Sequence, residues 1–311
     1  MIRSIKPACR QAGIRNWTFE NKLLRGEMLV SSKEIIFRAR ANRYTIGCFN
    51  TSDLEITKAI IAGAEAQKAP VLVSTSPKAI EYAGAEMLSS MIKEAAQKAK
   101  VPVALHLDHG LTISLVEECL ELGYTSIMFD GSGSSFDDNA VLTRQAVEMA
   151  HAKSVPCEGE LGHLGKSGPS TSLGVNKTKG TLTNPEDVVG FIQQTGVDFL
   201  AVSIGSAHGV GGNEKLDLPL LKKIASKTGI PLVLHGASGI SDKDIKAAIE
   251  SGISKINIDT DIRHTFVHGL RDYLDKNPKE KDPREILSQV MLEIQKYVEG
   301  KIKLFGSDGK V

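Results

Sequence analysis

The segment VPVALHLDHG, residues 101–110, joins a short apolar run to an acid, a histidine and a glycine. The run at 101–105 is typical of a buried strand, and similar runs lead into AHG at 207–209 and LHG at 234–236. Because the carboxyl ends of parallel strands meet at one edge of a sheet, three imidazoles placed there can converge on one ion. The acid beside the first of them, Asp108, can then act on whatever that ion holds.

Strand and helix signals alternate along the rest of the chain. Apolar, β-branched runs predict strands at 44–49, 70–74, 101–107, 126–129, 155–158, 199–204, 230–234 and 255–258. Between them, apolar residues recur at the i, i+3 and i+4 spacing of amphipathic helices. With no break in composition, this pattern predicts an α/β fold, a single (β/α)8 TIM-barrel domain over 28–311 with extra C-terminal helices. A doubly wound open sheet is the alternative.

The last predicted helix begins at DPRE, residues 282–285, where a capping acid and a proline precede an amphipathic stretch. Its apolar stripe consists of Leu287, Val290, Met291, Ile294 and Val298. Such a stripe packs either on the barrel or on a second subunit.

The composition excludes several classes of protein. The 311 residues are 24% charged and 41% hydrophobic, with a formal net charge of +1. This balance argues against nucleic acid or a membrane surface as a partner, and no apolar run approaches the roughly 20 residues that span a bilayer. The four cysteines are scattered without metal-ligand spacing, which is typical of free thiols in a reducing compartment. We therefore expect a cytoplasmic protein.

Residues 1–27 differ from the rest, because they are basic and have no helix or strand period. Arg25-Gly26-Glu27 can be encoded by purine-rich codons that resemble a bacterial ribosome-binding site. We interpret residues 1–27 as a non-native or disordered N-terminal extension and Met28 as a hypothetical true start, with a transit peptide as the weaker alternative. The first helix is expected just after this point, with Ser31 or Ser32 as its N-cap.

Three histidines that follow strands are candidate metal ligands: His109, His208 and His235. Three neutral imidazoles and an open fourth position are typical of catalytic zinc, which can polarise a substrate carbonyl and hold a developing enolate oxygen. A single loop histidine is more often only a hydrogen-bonded residue, but three at strand ends favour the ligand interpretation. His106, inside its strand, is expected to be a packed histidine.

Glycine-containing and polar stretches follow the seventh and eighth predicted strands, GASG at 236–239 and NIDT at 257–260. Backbone N–H groups after these two strands form the common phosphate site of such barrels. A plain turn is the alternative for each stretch taken alone. Polar residues also end the other strands, as expected where βα loops build a site.

These motifs resemble the class II, metal-dependent fructose-1,6-bisphosphate aldolases, in the subgroup that also contains tagatose-bisphosphate aldolases. The resemblance runs from Met28 to Val311. It rests on CFN (48–50), SPKA (76–79), HLDHG (106–110), SIMFDGS (126–132), EGELG (158–162), TGVDFLAVSIGSAHG (195–209), LVLHGASG (232–239), KINIDTDIR (255–263), DPR (282–284) and KIKLFGS (301–307). It implies reversible cleavage of fructose 1,6-bisphosphate to dihydroxyacetone phosphate and glyceraldehyde 3-phosphate, in glycolysis and gluconeogenesis.

The resemblance also implies roles for single residues. His109, His208 and His235 would bind Zn²⁺, with a monovalent cation as a further candidate cofactor, and Asp108 would protonate the C4 oxygen in condensation. The residues implied in contacts with the substrate and its phosphates are Asn50, Ser76, Gly209, Gly236, Ser238, Asn257 and Thr260. Asp130 and Glu160 would line the surroundings of the metal or offer it an alternative resting place.

Two further residues favour fructose over tagatose bisphosphate. Asp259 occupies a position that is acidic in fructose-type members, and Arg284 matches an arginine that reaches the distal phosphate from a neighbouring subunit. The resemblance therefore predicts a homodimer or a higher homo-oligomer. An acid at a helix start and a solvated arginine are the plain alternatives.

The chain departs from the family in its loops. The aromatic–lysine pair that usually follows the second zinc histidine is absent, and no acid occurs between Glu160 and Glu186. Family members carry loop acids there, one of which moves the proton of dihydroxyacetone phosphate. We hypothesise that His163 or a water on the metal replaces it. The remaining alternatives are an aldolase for tagatose 1,6-bisphosphate or another phosphorylated ketose, a zinc hydrolase, and an inactive paralogue.

Overall fold

The computed structural model describes residues 25–166, 180–209 and 215–311, without the side chains of Lys166 and His208. Residues 1–24 of the predicted extension lie outside the described residues. The helices are α1 (Ser32–Ala41), α2 (Leu54–Ala66), α3 (Pro77–Ala83), α4 (Ala85–Lys98), α5 (Ile113–Glu121), α6 (Phe136–Ala152), α7 (Asp187–Thr195), α8 (Leu218–Lys227), α9 (Asp242–Glu250), α10 (Thr260–Lys276) and α11 (Pro283–Phe305).

The strands are β1 (Ile46–Asn50), β2 (Val71–Thr75), β3 (Val103–Gly110), β4 (Ser126–Phe129), β5 (Cys157–Leu161), β6 (Gly165–Lys166), β7 (Phe199–Val202), β8 (Ala207–His208), β9 (Leu232–Leu234) and β10 (Ile253–Ile258). Eight of them close into a barrel in the order β1-β10-β9-β7-β5-β4-β3-β2, and every neighbouring pair is parallel. Each predicted run overlaps one barrel strand. The predicted (β/α)8 barrel is confirmed, and the doubly wound open sheet is excluded.

The lower half of the barrel interior contains an apolar cluster. Inward-facing residues of five strands form one cluster with Ile35 and Ile36 of α1: Cys48, Leu72, Ala104, Met128 and Val233. Helix α1 begins at Ser31, whose Oγ accepts a hydrogen bond from the Lys33 N–H at 3.3 Å. Because α1 packs against β1, β3 and β10, it closes the barrel at the end opposite the polar strand ends.

Helix α11 packs its apolar stripe on its own barrel. Its buried residues, which include Val290, Ile294 and Val298, belong to the same cluster as the residues between the barrel and its helices. Helix α2 approaches closely at Gly63, where an added Cβ would lie 2.9 Å from Val298 Cγ1. The apolar stripe of α11 was expected to pack either on the barrel or on a second subunit, and the structure shows it packed on the barrel.

None of the helices in the described part of the chain combines the length and the apolar character that crossing a membrane requires.

Candidate active site

Asp108 and His109 are neighbours in β3, yet both side chains face the barrel mouth. In a regular strand, successive side chains point to opposite faces. Between Leu107 and Gly110, β3 advances by three residues while its partner β4 advances by only two. This β-bulge, with φ of +51° at His109, turns both side chains toward the same space.

The Asp108 carboxylate is buried and held by two amides. Asn50 Nδ2 donates to Asp108 Oδ2 at 2.7 Å, and Asn257 Nδ2 donates to Asp108 Oδ1 at 2.8 Å. Burial disfavours the charged form of Asp108, but the imidazoles of His109 and His235 hold the pKa of this carboxyl below its usual range. Asp108 is therefore an ionised carboxylate with a fixed orientation.

His109 is paired with a carboxylate on its outer nitrogen. Nδ1 lies 2.7 Å from Asp130 Oδ2, so Nδ1 carries a proton and Nε2 faces the mouth. Ser132 donates to the other oxygen of Asp130 from Oγ at 2.6 Å and from its backbone N–H at 3.0 Å. Burial lowers the pKa of His109, but the carboxylates of Asp108 and Asp130 outweigh it and raise that pKa to about 10.

His235 is paired in the same way, deeper in the barrel. Nε2 lies 2.7 Å from Glu158 Oε1, and Lys255 Nζ donates to Glu158 Oε2 at 2.8 Å. Burial disfavours the charge of Glu158, but the Lys255 ammonium lowers the pKa of Glu158 to about 2. Burial also lowers the pKa of His235, which is therefore neutral with its proton on Nε2.

The two remaining imidazole nitrogens point at one place. His235 Nδ1 lies 3.0 Å from His109 Nε2, and Asp108 Oδ1 lies 3.7 Å from the first and 3.9 Å from the second. In a tetrahedral zinc site with Zn–N distances of about 2.0–2.1 Å, two ligand nitrogens are about 3.4 Å apart. The donor set therefore fits one divalent cation, and each imidazole has the outer carboxylate that metal-bound histidines usually have.

Glu160 lies beside this place and is 1% exposed. Its Oε2 is 3.9 Å from His109 Nδ1 and has no hydrogen-bond partner within the described ranges. Burial and the charge of Asp130 raise the pKa of Glu160 to about 8. With His109 and Asp130 it forms a second group of potential ligands, which agrees with the predicted surroundings of a metal.

The side chain of His208, the third predicted ligand, lies outside the described residues. Its backbone belongs to β8, which pairs with β6 in a two-stranded sheet that the sequence did not predict. An added Cβ at Gly236 would lie 2.5 Å from the Ala207 carbonyl oxygen, so the chain after His235 touches the chain before His208. The role of His208 stays a prediction.

The comparisons with known proteins agree with one another. The sequence model of the family Fructose-bisphosphate aldolase class-II matches residues 30–310. The fructose-bisphosphate aldolase of Thermus caldophilus is 42% identical, over 91% of this chain and 100% of the relative. That of Streptococcus pneumoniae TIGR4 is 41% identical, over 91% of this chain and 99% of the relative.

The chain belongs to the class II fructose-bisphosphate aldolase family. A solved structure, the YdjI aldolase of Escherichia coli K12, superposes with a TM-score of 0.80 at 34% identity, over 91% of this chain and 99% of that one. Fructose-bisphosphate aldolase of Campylobacter jejuni superposes with a TM-score of 0.77 at 26% identity, over 91% and 97% of the two chains. The protein is therefore an aldolase, a carbon–carbon lyase of a metal-dependent family, and the predicted family is confirmed.

Most of the substrate contacts that the family resemblance implies follow strands around the mouth of this aldolase. Ser238 is 5% exposed, and its Oγ accepts the Asp261 N–H at 3.3 Å. Gly209 and Gly236 have φ of +104° and +64°, conformations that favour glycine. Ser76 caps α3 after β2, and Thr260 begins α10 after β10.

Two predicted residues, Arg284 and Asp259, form ion pairs within their own helix starts. The Arg284 side chain is 88% exposed, and its guanidinium binds Asp282 at 2.6 Å at the start of α11. Asp259 binds Arg263 one helical turn later, through contacts of 3.1 and 2.9 Å. Burial raises the pKa of Asp259, and the charges of Asp108 and His109 also act on it, so Asp259 lies near these two residues although its hydrogen bonds go to Arg263.

The Lys255–Glu158 pair was not predicted, although the sequence contains a signal for it. Lys255 and Asn257 are two residues apart in β10, so both face the barrel interior with period 2. A charged residue on an interior face needs a buried partner of opposite charge. Glu158, at the end of a predicted strand on the far side of the barrel, was such a partner. His106 is fully buried, as expected of a packed histidine.

Proposed function

We propose that this aldolase catalyses metal-dependent, reversible cleavage of fructose 1,6-bisphosphate into dihydroxyacetone phosphate and glyceraldehyde 3-phosphate. One observation carries the proposal. In a chain of this family, two imidazole nitrogens face each other at 3.0 Å, and an ionised carboxylate, Asp108, lies less than 4 Å from both. The Thermus caldophilus and Streptococcus pneumoniae relatives carry the name of this activity.

The residues proposed to hold the ion, Zn²⁺, are His109 through Nε2, His235 through Nδ1, and His208. Zinc supplies Lewis-acid stabilisation of the negative charge that develops on the C2 oxygen when the C3–C4 bond breaks. Asp130 and Glu158 orient the two described imidazoles from their outer nitrogens. Glu160 is proposed as an alternative ligand because its buried Oε2 has no hydrogen-bond donor among the described residues.

Asp108 is proposed as the catalytic base. In cleavage it takes the proton of the C4 hydroxyl, and in condensation it returns that proton to the C4 oxygen. Asn50 and Asn257 each donate to one of its oxygens, so the carboxylate is positioned before substrate binds. Asn50 is itself oriented by Ser74, whose Oγ donates to Asn50 Oδ1 at 2.7 Å.

Backbone N–H groups after β9 and β10 are proposed to bind the substrate phosphates. Gly236 lets the chain pass close to Ala207, and Ser238 and Thr260 add hydroxyl groups near the start of α10. Helix starts favour anions because their N–H groups are unpaired and carry partial positive charge. Ser76 and Gly209 are proposed to contact the substrate on the other sides of the mouth.

His163 is proposed to move the proton of dihydroxyacetone phosphate. Its Nδ1 lies 3.0 Å from Ser132 Oγ, and Ser132 donates to Asp130, so a hydrogen-bonded chain connects His163 to the surroundings of the metal. In His163→Ala, proton exchange on dihydroxyacetone phosphate should slow while zinc content stays the same. Unchanged exchange would exclude this residue.

Two copies of the chain are proposed to form a homodimer in which Arg284 reaches the distal phosphate of the partner's substrate. The exposure of Arg284 leaves its guanidinium available for such a contact. Asp259 supports the preference for fructose over tagatose bisphosphate. Sedimentation velocity tests the dimer, and Arg284→Ala should raise KM more than it lowers kcat; a monomer with full activity would contradict the proposal.

We also propose a cytoplasmic location. Cys48, Cys119 and Cys157 are free and buried, which fits a reducing compartment. Cell fractionation with an antibody to the protein tests this, and recovery outside the cytoplasmic fraction would contradict it.

A cleavage assay with and without a chelator tests the proposed function. Triose phosphate release from fructose 1,6-bisphosphate should be abolished by the chelator and restored by added Zn²⁺. Tagatose 1,6-bisphosphate, the matched epimeric substrate, should react more slowly. Cleavage that resists the chelator would overturn the metal-dependent mechanism, and faster cleavage of the tagatose epimer would overturn the substrate assignment.

A further inference from the structure

A line of buried polar side chains runs down the barrel beneath the proposed metal. Lys255 and Glu158 are both 0% exposed and form an ion pair at 2.8 Å. Above them, Glu158 Oε1 lies 2.7 Å from His235 Nε2, and below them Lys255 Nζ lies 3.3 Å from His106 Nε2. A buried ion pair by itself adds little to stability, and this one contacts a histidine on either side.

The donor and acceptor types of these groups determine where the protons are. Lys255 can only donate, so Glu158 Oε2 is its acceptor. Glu158 Oε1 accepts from His235, which places the proton of His235 on Nε2. Nδ1 keeps its lone pair, and this nitrogen is the one that lies 3.0 Å from His109 Nε2.

We propose that Lys255 is a positioning residue for the metal: by fixing Glu158 as an acceptor, it keeps the proton of His235 on Nε2 and directs the lone pair of Nδ1 at the cation. Lys255 would act on the cation only through Glu158 and His235. The inference rests on the proposed function, in which His235 is a ligand. The inference explains why a lysine occurs inside the barrel, where other strands carry apolar residues such as Met128 and Val233.

The lower branch of the line leads away from the metal. His106 Nε2 faces the Lys255 ammonium and must accept from it, so His106 Nδ1 carries the proton and donates to Ser126 Oγ at 2.7 Å. Ser32 of α1 donates to the same Oγ at 2.7 Å. Ser126 is fully buried in the same interior but does not contact His235 or Glu158 through any bond described here. Ser126→Ala is therefore a matched control.

The Glu158→Gln variant tests the proposal. A glutamine amide has one acceptor and one donor group, and Lys255, which only donates, requires the oxygen. The amide NH₂ then faces His235 Nε2, which must accept, and the proton of His235 moves to Nδ1, where it blocks the metal. Zinc affinity, measured by competition with a coloured chelator, should fall about 10- to 100-fold.

A second substitution separates this effect from simple damage to the interior. In Glu158→Gln/Lys255→Met, nothing requires the amide oxygen to face away from His235, so the amide can turn its oxygen toward Nε2. The double variant should bind zinc at least about fivefold more tightly than Glu158→Gln alone, within the range such outer partners control. Ser126→Ala should bind zinc within about twofold of the original chain, although it also removes buried hydrogen bonds.

The position of the proton can be observed directly. In metal-free protein with isotope-labelled histidine, two-bond proton–nitrogen NMR correlations should show His235 as the Nε2–H form in the original chain and as the Nδ1–H form in Glu158→Gln. If Glu158→Gln keeps both the Nε2–H form and full zinc affinity, or if the double variant binds no better than the single one, Lys255 does not position the metal. If His235→Ala itself leaves zinc affinity unchanged, the proposed ligand set is wrong instead.

Discussion

His109 and His235 present the same arrangement in two different surroundings. Asp130 supports His109 near the mouth; its side chain is 13% exposed and is held by the neutral hydroxyl and N–H of Ser132. Glu158 supports His235 inside the barrel, is 0% exposed and is held by the ammonium of Lys255. The two carboxylates therefore differ in where their positive partner lies. Asp130 faces the imidazole of His109, whose pKa is raised, whereas Glu158 faces a neutral His235 and takes its positive partner from Lys255 on its other oxygen.

The two imidazoles also turn different nitrogens toward each other, Nε2 of His109 and Nδ1 of His235. The two histidines come from different positions on the barrel. His109 sits on a bulged, left-handed residue at the rim of β3, while His235 follows β9 and reaches down to β5. Each outer carboxylate selects the nitrogen that remains for the cation, so the metal site is defined by its partners as much as by its ligands.

The largest expected effect is on turnover and comes from Asp108, which lies between the His109–Asp130 and His235–Glu158 pairs. Asp108 is nearly equidistant from both imidazoles, and it is the proposed proton acceptor. Asp108→Ala should lower turnover by about 10²- to 10⁴-fold, because a positioned general base contributes that much. Zinc content, measured by atomic absorption, should remain near one ion per chain, because both outer carboxylates are intact.

Asp137→Ala provides the control for this substitution. Asp137 is an exposed acid at the start of α6, and its removal should leave turnover unchanged. Near-normal turnover in Asp108→Ala would refute the assignment of the base. Loss of zinc together with turnover would instead make Asp108 part of the metal site.

The fold could be predicted from the sequence because its signals are local. Each barrel strand overlaps a short run of mainly apolar residues, and the capping residues Ser31 and Asp282 lie beside the helices that they start. Two features could not be predicted in this way. The β6–β8 sheet has only two residues in each strand, and the bulge at His109 is visible only as a change of register between β3 and β4.

The site was predictable where residue type alone determines the chemistry. Histidines and an acid at strand ends indicated a metal site, and the structure brings His109, His235 and Asp108 together at the barrel mouth. The Lys255–Glu158 pair was not predicted, because its members are 97 residues apart and meet only across the closed barrel. The two hydrogen bonds that give Asp108 its orientation likewise come from Asn50 and Asn257, on strands that flank the barrel closure.

A smaller effect is expected on folding stability, which should fall by different amounts when Glu158 or Asp130 is removed. Glu158→Ala leaves the Lys255 charge buried without a partner and should lower the free energy of unfolding by about 3–5 kcal/mol. Asp130→Ala removes hydrogen bonds near solvent and should cost about 1–3 kcal/mol. Urea denaturation of metal-free protein, followed by circular dichroism, measures both.

The neutral double variant Glu158→Gln/Lys255→Met checks the reason for this difference. It removes both interior charges together and should recover most of the stability lost in Glu158→Ala, since no unpaired charge remains. Equal losses for Glu158→Ala and Asp130→Ala would mean that the interior position of Glu158 does not matter to stability.

A further effect concerns pH in the metal-free protein. The pKa of His109 is raised from 6.5 to about 10 by Asp108 and Asp130, which outweigh its burial. The folded state therefore binds this proton more tightly than the unfolded chain, and the resulting stability is fully present below pH about 6.5 and is lost as pH rises toward 10. The pKa of His235 is lowered by burial, so its contribution has the opposite sign: it is present above pH about 6.5 and is lost as pH falls below it.

Between pH about 7.5 and about 9.5, which is above the unfolded pKa of both histidines and below the raised pKa of His109, only His109 should change its contribution. The difference in unfolding free energy between the original chain and His109→Gln, measured in urea with a chelator, should shrink steadily as pH rises. The matched difference for His235→Gln should stay constant, because His235 is neutral in both states over this range. A constant difference for His109→Gln as well would show that the carboxylates near the mouth do not hold a proton on His109, and the contrast between the two pairs would then rest on burial alone.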